Sequence, residues 1–134
     1  MAGISERAAF GAAFAHMRGP FKWGLRSDCT AACAAFAAIH GQDPLRACAD
    51  RYHSALGAAR ILTRAGGYLA WCRLTFDLPE TAAPQAGDLV LVESADAFGS
   101  ALALCIRPGE YAAKSEAGLV IVKTLIRGAW KCHF

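Results

Sequence analysis

The sequence predicts an α+β domain, with N-terminal helices packed on a C-terminal antiparallel β-sheet. Three observations carry this. Apolar residues follow a helical spacing up to about residue 76 and a strand spacing from residue 87 onward. Between the two lies LPETAAPQAG, residues 78–87, a polar connection with two prolines. The strand runs after it are separated by turns too short for a crossover, so they form hairpins. Helices first and strands second is the α+β order. A chain of 134 residues fits one domain, 1–134, with residues 1–76 mainly helical and 87–134 mainly β.

The elements follow in order. Ile4, Ala8, Phe14 and Met17 set one face of a helix over residues 4–17, stopped by Gly19-Pro20. Phe21 to Ser27 is a turn or extended segment. Asp28 has a side chain suited to capping, so a second helix is predicted from Cys29 to His40, ended by Gly41. Its residues are apolar on all sides, which makes it a central helix. Asp43-Pro44 starts a short helix over about 44–52. Another spans 57–66, closed by Gly66-Gly67, and a helical turn or short helix covers 68–74. Strands are predicted at DLVLVE (88–93), ALALCI (101–106), 111–114, GLVIVKTL (118–125) and 129–133.

Composition narrows the function. Net charge is +3, with a mild basic excess confined to the N-terminal half, short of the basic face that nucleic acid requires. The chain is 55 % apolar, but alanine supplies much of this, and no uninterrupted run suggests a membrane span. The first residues, MAGISERAAFGAAFAHMRG, lack the pattern of a secretory signal, which points to folding in a cytoplasm. Six cysteines occupy positions 29, 33, 48, 72, 105 and 132 without a Cys-x-x-Cys pair, so neither a metal nor another cofactor is expected. Cys29 and Cys33, one helical turn apart, keep a remote iron–sulfur reading open.

The chemistry concentrates in FKWGLRSDCTAACAAF, residues 21–36. A cysteine at a helix start meets unpaired N–H groups and the positive end of the helix dipole, which favour a thiolate. Cys29 is the candidate nucleophile and Asp28 the candidate cap. Trp23 and Trp130 are candidate groove- or interface-lining aromatics, with burial in the core as the simpler reading. A nucleophilic cysteine needs a base and a group to orient it. Cysteine on the first buried helix with the base on the following sheet is the papain-like plan.

Trp23-Gly24, Asp28-Cys29 and the GDLVLV strand at 87–92 together resemble the NlpC/P60 cell-wall peptidase superfamily. The chain is similar in particular to a small phage-associated family of that type. The ordered elements that carry this include Phe21, Gly41-Gln42-Asp43, Arg51-Tyr52, Gly57-Ala58, Leu62, Gly66-Gly67, Gly118 and Ala129-Trp130. The resemblance implies a papain-like NlpC/P60-type fold. It also implies a home among the tail-tip or baseplate proteins of phages, prophages or gene transfer agents.

The sequence departs from that pattern at the helpers. The strand after GDLV, which starts with histidine in the resembled enzymes, starts here with Ala101, and the third group falls near Ala113. Neither alanine can accept a proton. The remaining histidines are His16, His40, His53 and His133. His40 lies eleven residues along the helix from Cys29, roughly 16 Å by helix rise. Two functions follow. The first is a degenerate, non-turnover structural component of a tail tip or baseplate. Its partners would be other tail proteins, and it would be assembled in the host cytoplasm and carried in the virion tail. The alternative is a cysteine peptidase or amidase that cuts peptidoglycan stem peptides through Cys29 during DNA entry.

Overall fold

The computed structural model describes residues 3–95 and 98–133. Four helices precede five strands: α1 (Glu6–Met17), α2 (Ala31–His40), α3 (Ala55–Ala65), α4 (Tyr68–Thr75), then β1 (Leu89–Glu93), β2 (Ser100–Arg107), β3 (Glu110–Ser115), β4 (Gly118–Val122) and β5 (Ile126–Trp130). The strands form one antiparallel sheet in the order β4-β3-β2-β1-β5. The α+β class and the antiparallel hairpins from β1 to β4 match the sequence reading, whereas β5 pairs with β1 and forms no hairpin with β4. No helix among the described residues is long and apolar enough to cross a membrane.

Local chemistry explains the boundaries. Ser5 caps α1 by accepting from Ala8 N at 3.0 Å, and Ser54 caps α3 by accepting from Gly57 N at 3.0 Å. The second cap starts α3 two residues before the position its apolar pattern suggests. Gly41 ends α2 with φ 69°, a left-handed conformation that glycine adopts without strain.

The helix expected over 44–52 is instead a pair of tight turns, Arg46 N to Asp43 O and Cys48 N to Leu45 O. Asp43 organises this turn: it accepts from Leu45 N and pairs with Arg26, and the chain then extends toward Tyr52. The last strands also shift. β4 stops at Val122, and β5 runs from Ile126 to Trp130 rather than over 129–133.

The sheet has two unlike faces. Leu89, Leu91, Leu102, Leu104 and Trp130 face the helices, and α1 and α2 pack against them and against each other. The opposite face carries Val90, Val92, Ala103, Cys105, Ala113 and Ala129, all buried although no helix covers them. Curl in the sheet supplies the cover. β4 and β5 are opposite edges, yet residues 123–125 join them directly. A flat sheet would separate those edges by about 19 Å, at about 4.8 Å per strand. The link spans at most about 14 Å. The edges must therefore bend toward each other, and Leu125 O accepts from Glu93 N on β1 at 2.9 Å. Small side chains suit the narrow concave interior this creates.

Candidate functional site around Cys29

Asp28 is the organising residue of the 24–30 loop. It is 1 % exposed, and its carboxylate accepts four hydrogen bonds. Oδ1 takes Thr30 N at 2.9 Å and the Thr30 hydroxyl at 2.8 Å. Oδ2 takes the Tyr52 hydroxyl at 2.6 Å and Gly24 N at 3.2 Å. Thr30 Oγ1 accepts in turn from Arg26 N at 2.7 Å, holding Arg26 at φ 69°. A buried carboxylate is tolerated only with such partners. Burial, reinforced by the Asp28 charge, pushes the Tyr52 hydroxyl well above the ordinary tyrosine range, so it remains a donor.

These bonds correct the expected cap. α2 begins at Ala31, and its N-cap is Thr30, whose side chain makes no capping bond. The Asp28 side chain serves the loop instead, while its backbone carbonyl accepts from Ala31 N at 2.9 Å. Cys29 thus sits on the turn that enters α2, one residue before the cap.

The half-buried Cys29 has a polar neighbour on the helical side. Its Sγ lies 2.7 Å from the hydroxyl of Tyr68, the first residue of α4. Tyr68 is buried, and burial together with the neighbouring Cys29 pushes its hydroxyl well above the usual value. The hydroxyl therefore keeps its proton near neutrality and can donate it to sulfur, but it cannot act as a base there. Gly66 and Gly67, both at positive φ, turn the chain out of α3 and place Tyr68.

On its other side Cys29 borders a cleft of about 740 Å³. Trp23 and Phe98 form an aromatic rim, packed edge to face with centroids 5.6 Å apart. The sheet contributes Val92, Ala101, Ala113 and Val120. Ala101 and Ala113, the two positions read from sequence as lacking the catalytic helpers, thus share one cleft with Cys29.

The histidines are elsewhere. His40 Nε2 donates to Gly87 O at 2.8 Å, and His133 Nε2 donates to Asp77 O at 2.6 Å. His16 and His53 are exposed on the surface. Among the described residues, no histidine lines the Cys29 cleft. Cys33 and Cys72 are buried thiols whose pKa values burial raises. No cluster among the described residues could hold a metal ion.

Of the two candidate tryptophans, Trp23 lines the cleft. Trp130 does not: at 1 % exposure it packs against Phe76 in the core between helices and sheet, which corrects the groove role given to it. Tyr68 and Lys114, both at this site, escaped the sequence reading. The glycine pair before Tyr68 was a signal for its placement. For Lys114 the only signal was a charge inside a strand.

Residues 6–132 match a family described as Domain of unknown function (DUF6950). No curated protein and no solved structure matches the chain. The match spans nearly the whole sequence, both the helical half with Cys29 and the sheet, and the chain belongs to the DUF6950 family.

Proposed function

We propose that this chain is an NlpC/P60-like domain of papain-like plan that has lost peptidase turnover and serves as a structural component of a phage or gene-transfer-agent tail tip or baseplate. One observation carries the loss of turnover. Ala101 and Ala113, the positions where the resemblance expects a base and its orienting group, share the cleft with Cys29 and carry only methyl groups. Tyr68, the hydroxyl at the sulfur, is held in its protonated form. The docking role draws support from the outer face of α1. Phe10 and Phe14 stack there one turn apart, 44 % and 46 % exposed, an apolar patch open to neighbouring tail proteins.

The retained cleft favours a second reading, a peptidase or amidase acting on peptidoglycan stem peptides through Cys29. Two measurements separate them. Purified protein is incubated with peptidoglycan fragments beside a C29A control, and tail particles from the producing host are examined for the chain by mass spectrometry. The structural reading predicts no Cys29-dependent cleavage and the chain present in particles. Cleavage lost in C29A would establish the enzyme, and absence from the particles would remove the tail role.

A further inference from the structure

A second pocket, of about 380 Å³, is built on the Arg51-Tyr52 pair and on the turns that Asp43 organises. It shares no lining residue with the Cys29 cleft. Arg26, Arg46 and Arg51 border it, from the loop before α2, the turns, and the extended chain after them. Two of these heads are held at its wall. Arg26 Nη2 donates to Asp43 at 2.6 Å, and Arg51 Nη1 donates to the Asp50 carbonyl at 2.8 Å. A guanidinium has five N–H donors, so one such bond leaves others to offer. Among the described residues the Arg46 side chain has neither a hydrogen bond nor an ion pair, and Arg51 pairs with no carboxylate. The nearby acids are already engaged. Asp43 holds Arg26 and Leu45 N, and the Asp50 carboxylate accepts from Trp71 Nε1 at 2.9 Å. Between residues 46 and 73 the chain carries five arginines and no lysine, with Asp50 the one acid. Arginine is the cation whose planar fork fits an oxyanion through paired bonds. Three guanidinium groups around one concavity repel one another until an anion joins them.

We infer that this pocket binds a small phosphate monoester, its phosphoryl group held by Arg46 and Arg51 with Arg26 alongside, and its organic body against Leu25 and Leu45. A tetrahedral phosphoryl group presents terminal oxygens in three directions, which suits forks arriving from three segments of chain. A carboxylate has two oxygens in one plane and is satisfied by a single fork. The double charge of the phosphoryl group also answers the positive excess that Asp43 and Asp50 leave. The volume lies at the lower end of small-molecule sites, which sets the size of the ester. The inference stands apart from the tail reading, because it requires neither a partner protein nor chemistry at Cys29.

Phenyl phosphate is the probe, at a pH of about 7.5 where a phosphate monoester is chiefly a dianion. Benzoate is its planar, singly charged counterpart, and isothermal titration calorimetry at constant ionic strength is the readout. Saturable binding of phenyl phosphate is expected, with a Kd of about 1 mM or tighter, and benzoate should bind about tenfold more weakly or not at all. R46Q and R51Q should each weaken phenyl phosphate about tenfold or more. R60Q removes the same charge from the exposed face of α3, outside this pocket, and should change the Kd less than about twofold. Absence of saturable binding, equal affinity for benzoate, or full affinity in a folded R46Q would overturn the site. So would an R60Q loss as large as that of R46Q, which would mean attraction to a basic surface rather than a pocket. The phosphate–carboxylate comparison on the unaltered protein decides the matter even if a variant does not fold.

Discussion

The cleft at Cys29 has two walls built on opposite principles. The helical wall is polar and tightly bonded: Asp28 binds Thr30, Tyr52 and Gly24, and Tyr68 meets the sulfur. The sheet wall is made of methyl groups, from Ala101, Ala113, Val92 and Val120. The first wall keeps what positions a nucleophile. At Ala101 and Ala113 the second presents only methyl groups, and the other ionisable residues along the cleft are Glu93, Lys114, Glu116 and Lys123. The difference teaches that the two walls of one cleft can vary independently, because different forces hold them. The Asp28 network cannot lose its anchor without leaving buried donors unsatisfied. The sheet wall answers only to packing in the curled interior, where small residues fit best.

The largest effect should come from removing the anchor of the polar wall. D28A strands the Tyr52 and Thr30 hydroxyls and Gly24 N, and should cost about 3 kcal/mol or more, read from the denaturant midpoint at unchanged m-value. D28N, which can still accept, should cost less. A D28A loss below about 1 kcal/mol would mean the network contributes little and the comparison fails. Next, A101H should give the methyl wall an imidazole. If its geometry faces the sulfur, iodoacetamide labelling of Cys29 at pH 7 should accelerate about tenfold through a thiolate–imidazolium pair. The larger ring should cost about 1–3 kcal/mol of stability. A folded A101H with unchanged labelling would place that wall out of reach of Cys29.

Y68F tests the junction of the two walls. The hydroxyl can donate to a Cys29 thiolate, and a donor favours the charged form, so its loss should shift the labelling profile of Cys29 to higher pH. Stability should fall by about 1 kcal/mol. The smallest effect concerns the concave side of the sheet. Burial raises the Cys105 thiol from 9.0 to about 11. The folded state therefore holds this proton where the unfolded chain has released it, and stability falls as pH rises from about 9 to about 11. C105A should flatten that decline by about 1–2 kcal/mol, measured by denaturation at pH 8 and pH 11. Parallel curves for both proteins would show that water reaches the inner face.

Much of the fold was readable. The change of apolar period at residue 87 marked the passage from helices to sheet, and the short turns required antiparallel hairpins. Elements set by long-range contacts were not readable. The segment over 44–52 has helical composition, but the Asp43–Arg26 pair and the Tyr52–Asp28 bond draw it into turns and extended chain. The curl of the sheet became visible only when β4 and β5 proved to be opposite edges joined by a short link. At the site, Cys29, Trp23, Ala101 and Ala113 were singled out from motif order, and all four border one cleft. Trp130 takes the core place that was the simpler of its two readings; an aromatic at a strand end reads alike whether it faces a groove or the core. Tyr68 meets Cys29, a neighbour distant in sequence, which no local pattern encodes.

The most direct test of the proposed loss of turnover is the rate of Cys29 alkylation against pH, followed by peptide mapping with C29S as control. The account predicts a rate that climbs steadily with pH and has no plateau below neutrality. A fast rate that is flat between about pH 5 and pH 8, the signature of a thiolate already paired with an imidazolium, would contradict it.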